Sequence, residues 1–95
     1  MLSSKHIKSV WLRAFFDDEA TVDTSHRRID LKIVNLNALK QIKKLLLDLG
    51  IKSYINGPYE GLWVLRISTA VDLFHKKVNF DHPQKKEKLR KLIVN

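Results

Sequence analysis

The chain has 95 residues, 44% of them hydrophobic, with 18 Lys and Arg against 10 Asp and Glu and a formal net charge of +8. That length suits one small domain over residues 1–95, with enough apolar content for a packed core. The absence of cysteine excludes disulfides and thiolate metal sites and fits a reducing, cytoplasmic setting. No apolar run approaches the ~20 residues of a membrane span and none opens the chain as a signal peptide. A pI of about 9.9 points to a polyanion as partner, and first to nucleic acid.

From Lys5 to Asp17 the residues Ile7, Val10, Trp11, Ala14 and Phe15 recur at helical spacing, with Ser3 or Ser4 as candidate caps. Thr21-Val22-Asp23 reads as a short strand and Thr24-Ser25-His26 as a turn. Arg28 to Ile33 alternates, which sends Ile29, Leu31 and Ile33 to a core and Arg28, Asp30 and Lys32 outward. Asn35 or Asn37 can cap a second helix, whose Leu39, Ile42, Leu46 and Leu49 share a face and which stops at Gly50. A third strand is expected over Ile51–Ile55, a turn-rich connection over Asn56–Gly61, and a fourth strand over Leu62–Ser68 with Trp63, Leu65 and Ile67 on one face. Helices over about Thr69–Lys77 and Gln84–Val94 complete an α+β order, αββαββ followed by helices. No linker, repeat or low-complexity tract interrupts it.

Chemistry concentrates in Leu12-Arg13-Ala14-Phe15-Phe16-Asp17-Asp18-Glu19-Ala20, where an apolar helical run ends in consecutive acids. The end of a helix carries negative partial charge, so acids placed there call for compensation. A hard divalent cation, which prefers oxygen ligands, supplies it, and plain solvent exposure supplies it as well. A metal-binding acid on a basic protein points to phosphodiester chemistry. The four histidines lack zinc spacing, and there is no Gly-rich phosphate loop or Ser/His/Asp set. Lys85-Lys86-Glu87-Lys88-Leu89-Arg90-Lys91 reads either as a non-specific phosphate contact or as a solvated helix face.

Leu12 to Ala20 also resembles the signature nonapeptide of the LAGLIDADG homing endonucleases, with Ala14 and Ala20 standing where that family has glycines. The similarity continues in order through Asn35–Leu39, Leu45–Ser53, Leu65–Ser68 and the tail from His82 to Leu89. The resemblance implies an αββαββα(α) fold with a four-stranded antiparallel sheet, in a protein of prokaryotic or archaeal cells. It implies that Glu19 binds Mg²⁺ or Mn²⁺ together with the adjoining Ala20, that Asp17 is structural, and that Arg66 or Lys52 steadies charge at the reacting phosphate. One motif supplies half of a site that works best with ions on both sides of the phosphate, so a homodimer is expected, packed through Trp11, Ala14, Phe15 and Asp18. Ala14 also fits ordinary core packing.

The implied partner is double-stranded DNA, read from the sheet by Thr21, Asp23, Arg28, Asp30, Lys32, Lys52, Tyr54, Asn56 and Arg66. Any half-exposed sheet shows polar residues to water, so the resemblance and not the composition favours base reading. The expected activity is metal-dependent cleavage of both strands. The alternatives are a non-catalytic DNA regulator or RNA maturase of the same fold, or one half of a two-motif enzyme. Met1 and the closing helix favour a complete unit.

Overall fold

In the computed structural model, which describes residues 4–94 with the side chain of Val94 left out, the chain folds in the order α1 (Ser4–Glu19), β1 (Ala20–Asp23), β2 (Arg28–Ile33), α2 (Leu36–Asp48), β3 (Tyr54–Tyr59), β4 (Leu62–Ile67), α3 (Val71–Lys77) and α4 (Pro83–Val94). The four strands form one antiparallel sheet ordered β1-β2-β4-β3. The expected α+β architecture is present. Ser4 lies within α1, and Ser3 lies outside the described residues. Among the described residues no helix is long and apolar enough to cross a membrane.

The core forms on one face of the sheet. Ile29 and Leu31 of β2 and Leu65 and Ile67 of β4 alternate inward against Leu12 and Phe16 of α1 and Leu39, Ile42 and Leu46 of α2. Phe74 joins the two halves of this core, with its ring centroid 5.0 Å from Phe16 and 5.3 Å from Phe80. Ile33 and Trp63 are only partly buried, at the margin of the same face.

α2 is closed at both ends by its own sequence. The Asn35 side chain accepts a hydrogen bond from the Ala38 N–H at 3.1 Å, which makes Asn35 and not Asn37 the cap. Gly50, at φ +82°, turns the chain out of the helix, while the N–H groups of Gly50 and Ile51 donate to the carbonyls of Leu47 and Leu46. This is a Schellman closure. It also explains why the expected strand over Ile51–Ile55 begins only at Tyr54: the Ile51 N–H is spent on the helix, and Ile51 and Ser53 are buried in an irregular link.

The other end of β3 differs as well. Asn56-Gly57-Pro58, expected to be a connection, belongs to the strand, and only Glu60 and Gly61 form the turn. Both turn residues have positive φ, as a tight two-residue hairpin requires. Asn56 pairs with Val64 and Tyr59 with Leu62, so β3 carries an extra residue in a bulge. Gly57 allows it at φ +123°, where a Cβ would come within 3.0 Å of the Leu62 carbonyl oxygen. Pro58 is tolerated because β3 is an edge strand and needs no N–H on its outer side. Smaller corrections are a β1 that begins at Ala20, a β4 that ends at Ile67, and α3 and α4 that begin at Val71 and Pro83.

α1 buries a face other than the apolar stripe read in its sequence. The stripe at Ile7, Val10, Trp11 and Ala14 faces outward, with Ile7 57% and Trp11 49% exposed, whereas Leu12 and Phe16 enter the core. Phe15 lies between the two faces and stacks on Trp11 at 5.5 Å. The helix therefore has two apolar stripes, and among the described residues only one is covered.

Phe74→Ala should lower stability by about 3–5 kcal/mol, because it removes the ring that joins both halves of the core. Urea unfolding followed by circular dichroism would measure the loss.

Candidate metal end and nucleic-acid face

The consecutive acids at the end of α1 take separate roles. Asp17 turns toward α4, where its carboxylate accepts hydrogen bonds from the backbone N–H of Asp81 at 2.9 Å and of His82 at 3.2 Å. Lys85 donates to the Asp17 carbonyl. One turn earlier, Arg13 Nε donates to the Val78 carbonyl at 2.7 Å, and its guanidinium lies 3.8 Å from Asp81. These contacts fasten the last turn of α1 to the connection between α3 and α4. Asp18 is exposed.

Glu19, the last residue of α1, is also exposed, and among the described residues no hydrogen bond or ion pair holds its carboxylate. Ala20 follows as the first residue of β1, buried and paired with Leu31. Among the described residues no group of three or more His, Cys, Asp or Glu gathers to hold a metal. At this junction one copy could offer at most the Glu19 carboxylate and the adjoining backbone carbonyl. Both are hard oxygen donors that suit Mg²⁺ or Mn²⁺, but Mg²⁺ on so few ligands must keep waters or take phosphate oxygens. The residues fit half of a metal site.

The face of the sheet opposite the core carries the expected readers other than Lys52, which lies outside the strands. Its central row runs across all four strands as Thr21, Asp30, Arg66 and Tyr54. Asp23 and Arg28 pair on one side of that row, and Lys32, Val64 and Asn56 lie on the other. Most of these side chains are exposed or half-buried, but Asp30 is only 8% exposed. Arg28 Nε lies 3.2 Å from Asp30 Oδ1 and 3.3 Å from Oδ2, and Arg66 Nε lies 3.4 Å from Oδ1. The Asp30 carboxylate, expected among the base readers, is therefore covered by guanidinium groups.

The β1–β2 turn is fixed by Asp23, which accepts from the His26 backbone N–H at 3.0 Å and contacts His26 Nδ1 at 2.9 Å. Arg28 Nη2 lies 3.7 Å away. The backbone hydrogen bond from His26, then its ring contact, hold the Asp23 carboxyl below the ordinary carboxylate range. Arg27, in the same turn at φ +54°, donates to the Leu92 carbonyl of α4 at 2.8 Å.

The two cations nominated for the reacting phosphate do not converge on Glu19 within one copy. Arg66 is two strands from Thr21, ~10 Å across the sheet at ordinary strand spacing. Lys52 precedes β3, on the opposite edge from β1 and beyond the end of the sheet away from Glu19. Of the strand cations, the register brings Lys32 nearest, because Leu31 is the partner of Ala20 and Lys32 is the next residue along β2. The sequence marked Lys32 only as a base reader, since its nearness to Glu19 depends on a pairing register that alternation alone leaves open. In α4 the basic run is divided: Lys85 serves Asp17, and Arg90 pairs with Glu87 at 2.6 Å, while Lys86, Lys88 and Lys91 are exposed.

A basic domain with this strand order, an acid-tipped first helix and one open sheet face is of a known class. A family model described as the LAGLIDADG-like domain matches residues 7–77, well over half of the chain. The chain belongs to the LAGLIDADG family. Among solved structures it is similar to I-DmoI in complex with DNA and Mn, at TM-score 0.66 and 19% identity over 80% of this chain. It is likewise similar to mesophilic variants of the homing endonuclease I-DmoI, at TM-score 0.64 and 19% identity over 80% of this chain, 44% of theirs. An I-DmoI variant in complex with its target DNA in the presence of Mg gives TM-score 0.65 and 19% identity over 80% of this chain, 43% of its own. The chain spans 44% of the length of the I-DmoI chain bound to DNA and Mn. No curated protein matches by sequence.

Asp17→Ala should cost roughly 1–2 kcal/mol by removing the acceptor of the Asp81 and His82 N–H groups. A thermal melt would show the loss, and Asp18→Ala, on an exposed side chain, should leave the melt unchanged. For Asp23 the folded carboxyl titrates below its unfolded value. Its contribution to stability is therefore complete at neutral pH and disappears as pH falls through the lowered folded value. An NMR titration of the Asp23 carboxyl should show that depressed value, and Asp23→Asn should remove this part of the acid sensitivity.

Proposed function

We propose that two copies of this domain join through α1 and cleave double-stranded DNA with Mg²⁺ or Mn²⁺, each copy reading half of the site with its open sheet face. The observation that carries the reading is the coincidence, on one helix, of an uncovered apolar stripe and an uncommitted carboxylate at its end. Ile7, Val10, Trp11 and Ala14 form the stripe, and Glu19 follows at the C-terminus. A two-fold pairing of such helices buries the stripe in a self-complementary interface. Ala14 lets the backbones approach, Trp11 and Phe15 fill the flanks, and Asp18 stands beside the junction. The same rotation brings Glu19 and Ala20 of each copy together and completes the oxygen donors that one copy lacks.

When bound, the divalent ion supplies Lewis-acid activation of water and neutralisation of charge at the phosphate. The protein holds and orients the rest. Glu19 and the Ala20 carbonyl supply ligands, and Lys32, the strand cation nearest to them in register, offsets phosphate charge. Arg66 and Lys52 meet the DNA farther out on the sheet and its edge. Thr21, Arg28, Tyr54 and Asn56 present donors and acceptors suited to base edges in the major groove, which admits a β-ribbon. The surplus of positive charge draws the duplex in and makes affinity fall with salt.

A nicking and cleavage assay on a randomised duplex library, with Mg²⁺ and with Mn²⁺, tests the reading. Cleavage should fall at least about 100-fold in Glu19→Gln, more than is lost with an outer-shell partner of a metal, while DNA binding persists. Specific DNA retention without cutting by the unaltered protein would instead favour a regulator. Ala14→Arg should convert a dimer to a monomer in sedimentation velocity with little change in the melting of each domain, because Ala14 is exposed in the single copy.

A further inference from the structure

We infer that Asp30 acts through Arg66: its buried carboxylate holds the Nε edge of Arg66, so that the Nη1/Nη2 end is preset to read guanine. This inference rests on the proposed reading of DNA by the sheet. Asp30 and Arg66 are direct cross-strand partners in the central row, and Arg66 Nε lies 3.4 Å from Asp30 Oδ1. Both atoms are fully buried, and neither completes a hydrogen bond in the described residues, so what joins them is charge across a short gap. Arg28 closes the other side of the same carboxylate at 3.2 Å.

A buried carboxylate stripped of its cations is strongly unfavourable. If Arg66 swings away, Asp30 is left with Arg28 as its one remaining cation, so the long Arg66 side chain is restrained before any ligand arrives. The shortest contact is made by Nε, and no hydrogen bond among the described residues engages Nη1 or Nη2, which leaves that end for a bidentate partner. The Arg66 side chain keeps 30% exposure, and with Lys32, Tyr59 and Leu62 it lines an open depression on the reading face. Its place in the central row, away from the rims of the sheet, sets it against base edges and not against the phosphate backbone. There the bidentate partner of an arginine fork is guanine O6 and N7. Asp30 itself, covered by both guanidiniums, would have to break two ion pairs to accept from cytosine. An arginine whose freedom has already been restricted loses less on binding, so the restraint adds discrimination without a new contact.

The test is selection of bound sequences from a randomised duplex pool, without divalent cation, by the full chain and by Arg66→Ala, Arg66→Lys, Asp30→Ala, Asp30→Asn and the Asp30→Ala/Arg66→Ala pair. The unaltered protein should prefer guanine at one position per half-site by roughly 5- to 150-fold, the worth of a bidentate arginine contact. Arg66→Ala and Arg66→Lys should erase that preference. Asp30→Ala should relax the same position and no other, and the paired substitution should add nothing to Arg66→Ala. Asp30→Asn keeps the shape without the charge and should relax the position partway, which serves if the alanine variant fails to fold. A merely structural Asp30 would lower the melting temperature and leave base preference intact, and that result overturns the inference. So does a preference lost at a different base, which would make Asp30 itself the reader, or a uniform loss of affinity in Arg66→Ala, which would make Arg66 a phosphate contact. A pool without any sequence preference for the unaltered protein would remove the DNA-reading function itself, and the inference with it.

Discussion

The carboxylate of Asp17 accepts backbone N–H groups from Asp81 and His82, and the rest of the molecule is arranged around that clamp. It fixes the last turn of α1 against the entry to α4, with Arg13 and Lys85 adding bonds on either side. Because α1 passes into β1 without an intervening loop, fixing the end of the helix also fixes the first strand of the sheet. Glu19 stands between the two, on a backbone that cannot drift. A candidate metal ligand held by the junction of a helix and a strand has a defined position even though no hydrogen bond or ion pair among the described residues holds its side chain. The acid at the first position of the run thus gives geometry to the acid at the last.

Much of this was legible in the sequence, and the parts that were not have physical reasons. Alternation from Arg28 to Ile33 and the Leu39, Ile42, Leu46, Leu49 stripe are local patterns with a single solution, and both appear as expected. The third strand was misplaced at both ends because local chemistry competes there. Ile51 looks like a strand residue but its N–H closes the preceding helix, and Gly57-Pro58 looks like a turn but lies in a bulged edge strand. In α1, periodicity alone could not say which of two apolar stripes enters the core. The structural part of Asp17 was expected; its partners, more than sixty residues along the chain, were not visible. The placement of Lys32 beside Ala20, and the covering of Asp30 by Arg28 and Arg66, depend on register between strands, which one sequence states only weakly.

Charge is distributed in keeping with a division of labour. The acids on the sheet face, Asp23 and Asp30, are each engaged by neighbours: Asp23 by His26 and Arg28, and Asp30 by Arg28 and Arg66. They organise cations more than they offset the general positive field. Glu19 is held by no such neighbour among the described residues. Asp18, Glu60 and Asp72 are likewise without an ion pair among the described residues, so it is the place of Glu19 at the junction of α1 and β1, and not its lack of a partner, that marks the candidate site.

The bulge at Gly57 and the proline after it have a consequence for assembly. An exposed, regular edge strand is a template on which further strands of other copies can polymerise. Here β3 offers a kinked edge with a missing donor at Pro58, and the opposite edge, β1, is only four residues long and packs against α4. Neither margin is suited to continuous strand addition. Self-association by ribbon extension, which would run on without limit and bury the open face in stacked sheets, is thereby discouraged. The contact between copies proposed above uses the apolar stripe of α1 instead, and a two-fold contact through a helix closes on itself.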